Sequence, residues 1–293
     1  MYDLHGIIFA YSASPELGEL VRRRTAASLP FCGRYRLIDF ALSSMMNAGI
    51  RDVGVIMQRD YQSLLDHIGS GKNWDMSRRY GGLRMLPPFG LPEYHRGNYT
   101  GTIEALNAVA PYVRSIPQKH IALLLGSVCA NIDLTAAMRQ HVKTGAEITA
   151  ICSAGELTGS NHRYVIGDDG MVKQLLFDRT DPGEGIPSLE GYIINKDTLL
   201  RIMDKCKALN LYRFHKDAVS SFLAEGGQMA AYVHEGYAAS IRSVADYYQC
   251  SMDMLNGELR RQLFPAERPV RTRAHEEVST YYGENAGSKN SLV

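Results

Sequence analysis

The 293-residue chain lacks any cysteine pair at redox or metal-binding spacing. Cys32, Cys129, Cys152, Cys206 and Cys250 are scattered, and no CxxC occurs. An odd, dispersed set argues against a disulfide framework and fits ordinary packing in a reducing compartment, so a cytoplasmic location is expected. The nine histidines are dispersed too, without the clustering that structural zinc requires, and no structural metal is expected. An excess of one charge sign is also missing. The formal net charge is +1, which gives no support to a nucleic-acid partner. No apolar run approaches the ~20 residues of a membrane span, so no membrane partner is expected. Asp3 and His5 stand just before the first strand, which does not read as a secretory signal.

What remains is a globular composition, 45% hydrophobic and 22% charged. Over the first ~240 residues short apolar strands alternate with helical segments, the pattern of a layered α/β domain. Strands are expected at 7–11, 53–58, 121–125, 147–153, 172–177 and 191–195. Helices are expected at 15–24, 35–48, 61–69, 102–114, 134–144, 197–207, 216–225 and 243–261. Gly49 reads as a helix C-terminus able to take positive φ, and "GDDG" at 167–170 as a hairpin turn.

The stretch "IIFAYSASPELGELVRRR" places a strand before a helix, where nucleotide-binding proteins cradle phosphate. Such loops carry glycines. This one carries Ser12, Ala13 and Ser14, and the helix opens with Pro15 and Glu16.

"PFCGRYRLIDFALSSMMNAGIRDVGVIMQ" at 30–58 resembles the bacterial ADP-glucose pyrophosphorylases (glucose-1-phosphate adenylyltransferases), whose stretch reads close to PFGGKYRIIDFxLSNxxNSGIxxVGVxTQ. "WDMSRRYGGLRMLPPF" at 74–89, "NYTGTIEAL" at 98–106, "FHKDAV" at 214–219 and "YYGENAGSKNSLV" at the end extend the resemblance to nearly the whole chain. It implies a nucleotidyltransferase-like (Rossmann-like) mixed sheet flanked by helices over residues 1–262. Residues 263–293 would form a linker and the first segment of a left-handed β-helix domain, cut short at a strand-like "NSLV".

The family joins ATP and glucose-1-phosphate into ADP-glucose and pyrophosphate. That chemistry needs glycines and cations on the triphosphate, carboxylates on Mg²⁺, and a basic grip on the sugar phosphate. The resemblance implies that each requirement is vacated here. Tyr11, Ser12 and Ser14 replace loop glycines, and Glu16 replaces an arginine. At ~4 Å and an effective dielectric of ~20, one charge pair is worth roughly 4 kcal/mol, so that reversal opposes ATP. The family's metal-binding aspartates fall on Ser127 in "LLLGSVCANID" and Ser240 in "ASIRSVADYY". Its sugar-phosphate lysine falls on Thr180, and the neighbouring Arg179 would face the other side of a strand. No catalytic residue, metal ligand or cofactor is therefore expected in this chain, with Mg²⁺ left to a catalytic partner. Gly81, Gly82, Gly101 and Thr102 are candidates for a residual substrate pocket, or simply turn and helix-start residues.

Such losses inside an intact framework resemble the GlgD-type subunit, the weakly catalytic or non-catalytic partner of a catalytic ADP-glucose pyrophosphorylase subunit. A hetero-oligomer, taken as a tetramer, is the expected assembly. Arg23, Arg24 and Arg36 lie in a basic cluster expected to contact a sugar-phosphate effector or the other subunit. Two other readings stay open at this point. One is an active sugar-1-phosphate nucleotidyltransferase that recruits Asp133, Asp168, Asp169 or Glu104. The other is a stand-alone sugar-phosphate or nucleotide sensor.

Overall fold

The computed structural model describes residues 3–11, 15–79, 81–88, 99, 101–157, 162–177, 184–274, 283–287 and 289. Nine strands build one mixed sheet: β1 Leu4–Phe9, β2 Val53–Ile56, β3 Leu83–Leu86, β4 His120–Leu125, β5 Ile148–Ser153, β6 His162–Ile166, β7 Val172–Phe177, β8 Ile186–Asn195 and β9 Met229–His234. Their main path runs β9-β5-β8-β4-β1-β2-β3. β4, β1, β2 and β3 are mutually parallel, β9 is parallel to β5, and β8 runs antiparallel between β4 and β5. The hairpin β6–β7 joins through the first residues of β8. This is the expected mixed α/β architecture.

β1, β2 and β5 are buried at every position, as continuous apolar runs in a sheet covered on both faces should be. The covering helices are α1 Ile38–Asn47, α2 Gln62–Ile68, α3 Thr102–Ala108, α4 Ala110–Ser115, α5 Leu134–Thr144, α6 Lys196–Ala208, α7 Ser220–Ala224, α8 Val244–Asp253 and α9 Gly257–Leu263. Gly49 has φ 74°, and Gly167 closes the 167–170 turn through its N–H to the Met171 carbonyl at 2.9 Å, both as expected.

Several helices are shorter or more broken than their apolar periodicity predicts. The stretch 15–24 is a 3₁₀ segment, Pro15–Val21, interrupted at Gly18 with φ 48° and ψ −126°. The segment 35–48 begins as a ribbon in which Tyr35–Arg36 pairs with Pro30–Phe31, and α1 starts only at Ile38. The span 102–114 divides at Val109, because Pro111 has no N–H to give to a continuing helix. In 243–261 the chain stops at Met254 and restarts with Asn256 accepting the Glu258 N–H at 2.8 Å. A π-turn, Phe214–Val219, precedes α7. β8 extends back to Ile186, beyond the expected 191–195.

After Leu263 the described residues carry no strand, and the "NSLV" end lies outside them. The segment is nevertheless tied down. Asn131 Nδ2 donates to the Arg268 carbonyl (2.6 Å), Asn47 Nδ2 to Pro269 (3.2 Å) and Trp74 Nε1 to Arg271 (3.1 Å). The Arg271 N–H donates to Ser43 Oγ at 2.9 Å, and Thr272 Oγ1 to the Arg34 carbonyl at 3.3 Å. The stretch 268–273 thus crosses α1 beside the Arg34–Arg36 ribbon.

Candidate functional site

In a sheet of parallel strands followed by helices, ligands collect outside the carboxyl ends of the strands. That edge is defined here by Phe9 and Leu125, and by the start of the antiparallel β8. Directly after β1, Tyr11 turns its ring inward, 5.7 Å from Tyr99 and 6.0 Å from Phe9 between ring centroids. Burial pushes the Tyr11 phenol up, against the opposing pull of the Thr102 hydroxyl beside it. Where a glycine would let a phosphate approach backbone N–H groups, the chain carries an aromatic side chain.

The two serines expected at the metal positions are brought together. A small ribbon, Val128–Ala130 against Ala238–Ser240, sets Ser240 opposite Val128, and the Ile241 N–H donates to the Ser127 carbonyl at 3.2 Å. Both serines are buried. Beside them stands Arg242, whose Nε donates to Ser240 Oγ at 3.4 Å and whose guanidinium forms an ion pair with Glu190 Oε1. Burial holds the guanidinium below its usual range, while Asp246 and then Glu16 pull it back up. Neutral hydroxyls next to a resident guanidinium do not fit a hard divalent ion that wants carboxylate oxygens. The residues present therefore do not fit the magnesium ion that the family's chemistry uses.

Further along the same edge lies a buried polar network. Tyr192 Oη contacts Tyr164 Oη at 2.9 Å and His215 Nδ1 at 2.6 Å, and His162 Nε2 at 3.5 Å. His215 Nε2 meets Glu190 Oε2 at 3.2 Å. Burial pushes His215 down to about 4, and burial together with His215 and Arg242 holds His162 well below the ordinary imidazole range.

The expected pocket residues separate into two places. Gly101 and Thr102 stand at the carboxyl edge. A Cβ on Gly101 would lie 2.2 Å from the Tyr212 carbonyl oxygen, so close backbone packing accounts for this glycine. Gly81 and Gly82 precede β3, at the opposite edge of the sheet. They have φ 74° and 83°, and the Gly82 N–H donates to Asp52 Oδ1 at 2.8 Å. Thr180 and Arg179, like Ser12 and Ser14, lie outside the described residues.

Of the expected arginines, Arg24 and Arg36 are brought together and Arg273 joins them from the crossing segment. Burial, then Arg24, lowers Arg36, and Arg273 adds to that. Arg36 Nη1 donates to the Ser63 carbonyl (2.6 Å) and hydroxyl (2.8 Å). Arg23 is exposed on the turn before them. Sequence reasoning missed Glu190, Arg242, His162 and His215. For Arg242 a signal existed: in "ASIRSVADYY" it occupies the position of the glycine in the family's RDVGTLEAYW.

The nucleotidyl transferase family profile matches residues 6–257. Glycogen biosynthesis protein GlgD of Bacillus subtilis is 28% identical over 98% of this chain and 74% of its own length. Glycogen biosynthesis protein GlgD of Geobacillus stearothermophilus is 31% identical, also over 98% of this chain and 74% of its own. A glucose-1-phosphate adenylyltransferase of Clostridium botulinum is 29% identical over 99% of this chain and 76% of its own.

Proposed function

Because the chain belongs to the nucleotidyl transferase family, we propose that it is a regulatory, catalytically impaired subunit acting with a catalytic glucose-1-phosphate adenylyltransferase in glycogen biosynthesis. The observation that carries this reading is the Arg242–Glu190 ion pair seated beside Ser127 and Ser240. The reaction needs carboxylates to hold a divalent ion, which neutralises charge developing on the transferred phosphate. This site offers hydroxyls, a guanidinium already engaged by a carboxylate, and an aromatic ring in place of the phosphate loop's first glycine. The likeness to GlgD proteins supports the same reading. The cluster of Arg24, Arg36 and Arg273 would then meet an anionic sugar-phosphate effector or the catalytic subunit, in the cytoplasm.

Pyrophosphate release from ATP, glucose-1-phosphate and Mg²⁺ tests the proposal. It should be followed for this chain, for a catalytic subunit, and for the two mixed. The chain alone is expected to be silent, and the mixture to differ from the sum of its parts and to co-elute on size exclusion. Turnover by the chain alone at ~1 s⁻¹ or more, the range of ordinary enzymes, would show an active enzyme instead. Failure to co-elute, with no effect on the catalytic subunit, would show a separate sensor.

The ion pair makes a second expectation. Ser127→Asp with Ser240→Asp should add little Mg²⁺-dependent ATP binding, because Arg242 will pair with the new carboxylate at 240. Adding Arg242→Gly and Glu190→Gly should improve that binding roughly 10-fold or more, the scale on which metal-site groups act. Calorimetric titration with and without Mg²⁺ reads the difference.

A further inference from the structure

We infer that His162, Glu190 and His215 form a binding site for a divalent transition-metal ion of the zinc class, separate from the vacated magnesium position. One ligand atom from each lies within 4.8 Å of those of the other two. They converge from three unrelated elements: the first residue of β6, the bulge of β8, and the second residue of the π-turn. At the bulge, between Ser188 and Gly191, Glu190 holds φ 53°, a backbone that non-glycine residues rarely adopt. Bulges re-aim side chains, and this one sends a carboxylate into the buried edge of the sheet.

The two carboxylate oxygens divide their work. Oε1 takes the Arg242 guanidinium and Oε2 faces His215 Nε2. On the far side of that imidazole, Tyr192 Oη holds Nδ1 at 2.6 Å and is itself held by Tyr164 Oη. Metal-bound histidines characteristically fix their second nitrogen in this way, which sets the tautomer and ring orientation. Here Nε2–H donates to Glu190 Oε2 and Nδ1 accepts from the Tyr192 hydroxyl; a bound ion would take the place of the Nε2 proton, with Nδ1–H then donated to the tyrosine oxygen. The His162 ring stacks on that of His215, with centroids 4.0 Å apart, and is buried.

Two imidazoles and one carboxylate select zinc, cobalt or nickel over magnesium and calcium, which want oxygen alone. The ion would staple the β6–β7 hairpin to β8 and the π-turn, and its binding energy would appear as added fold stability.

The test uses the full chain after chelation and dialysis, titrated separately with Zn²⁺, Co²⁺ and Mg²⁺. Expected are one Zn²⁺ per chain by elemental analysis, a raised melting temperature with Zn²⁺ or Co²⁺ but not Mg²⁺, and visible d–d bands from bound Co²⁺. His215→Gln or His162→Gln should weaken Zn²⁺ binding at least 10-fold. Absence of Co²⁺ bands in the unaltered chain overturns the inference, however the variants fold. So does Zn²⁺ binding that is equal in a folded His162→Gln/His215→Gln variant. Neither result bears on the regulatory reading, which rests on pyrophosphate release and co-elution.

Discussion

Asp39→Ala should cost about 3–5 kcal/mol of stability, the scale for breaking a buried pair by removing one partner. Asp39 opens α1 and is fully buried, and His67, its partner from α2, is 2% exposed. Oδ1 meets His67 Nε2 at 2.6 Å, while Oδ2 accepts the Arg36 N–H at 2.9 Å. The carboxylate thus joins α1, α2 and the Tyr35–Arg36 ribbon, and His67 stands edge-on to the buried Trp74 ring at 5.9 Å. Alanine strands the buried His67 imidazole, at about 1–3 kcal/mol, and takes the acceptor from the half-buried Arg36 N–H. Asp39→Asn keeps the shape and an acceptor, and should lose about 1–2 kcal/mol, the cost of one weakened buried hydrogen bond. Urea unfolding reads both, with a lowered midpoint at unchanged slope. An Asp39→Ala protein as stable as the unaltered chain would show that the pair is dispensable. Arg36 belongs to the basic cluster, so the same change should also blunt any effector response, as loss of the guanidinium's framework rather than of its charge.

The central strands could be read from the sequence because they bury both faces. "GIIF", "VGVI" and "ITAICS" are continuous apolar runs, and such runs in an alternating pattern specify a covered parallel core. Two of the strands that escaped notice carry no such mark. β6, "HRYVI", opens with a histidine and an arginine, and Ala238–Ser240 is three small residues that pair only because Val128–Ala130 lies opposite. The helix breaks at Val109 and Met254 were hidden because apolar periodicity continues across them, while the backbone obeys Pro111 and the Asn256 cap.

The site divides in the same way. Ser127 and Ser240 stood out only against a family pattern, since a serine in isolation signals nothing. Glu190 and Arg242 are 52 positions apart. No spacing rule links them, and only the fold of β8 against the ribbon end makes them a pair. His162 and His215 appeared dispersed for the same reason, although the sheet edge stacks their rings. Gly81 and Gly82 show the converse. A conspicuous glycine pair invites a ligand, and its positive φ values and the Asp52 contact give it a structural reason as well.

Mild acid should destabilise the protein through His5, on the edge of the sheet opposite the Arg242 site. His5 lies in β1, is 4% exposed, and meets the Tyr112 hydroxyl at 2.8 Å. Burial pushes it down from 6.5 to about 4, with Asp52 and Gln118 opposing and Arg84 reinforcing. The unfolded chain therefore takes up the proton first as pH falls, and folding is penalised progressively between 6.5 and 4. Linkage gives no cost above about pH 7, about 2 kcal/mol at pH 5, and about 3 kcal/mol once the pH is below both values. His215, also pushed down to about 4, and His162, His141 and His234, also held low by burial, shift stability in the same direction. Unfolding free energies at pH 7.5 and 5, compared between the unaltered chain and His5→Gln, isolate this residue. The variant should lose about 2 kcal/mol less than the unaltered chain on acidification, because glutamine at this position has no proton to take up. Equal losses would mean that His5 titrates alike in the folded and unfolded states, and that its burial against Tyr112 does not set the acid limit of the fold.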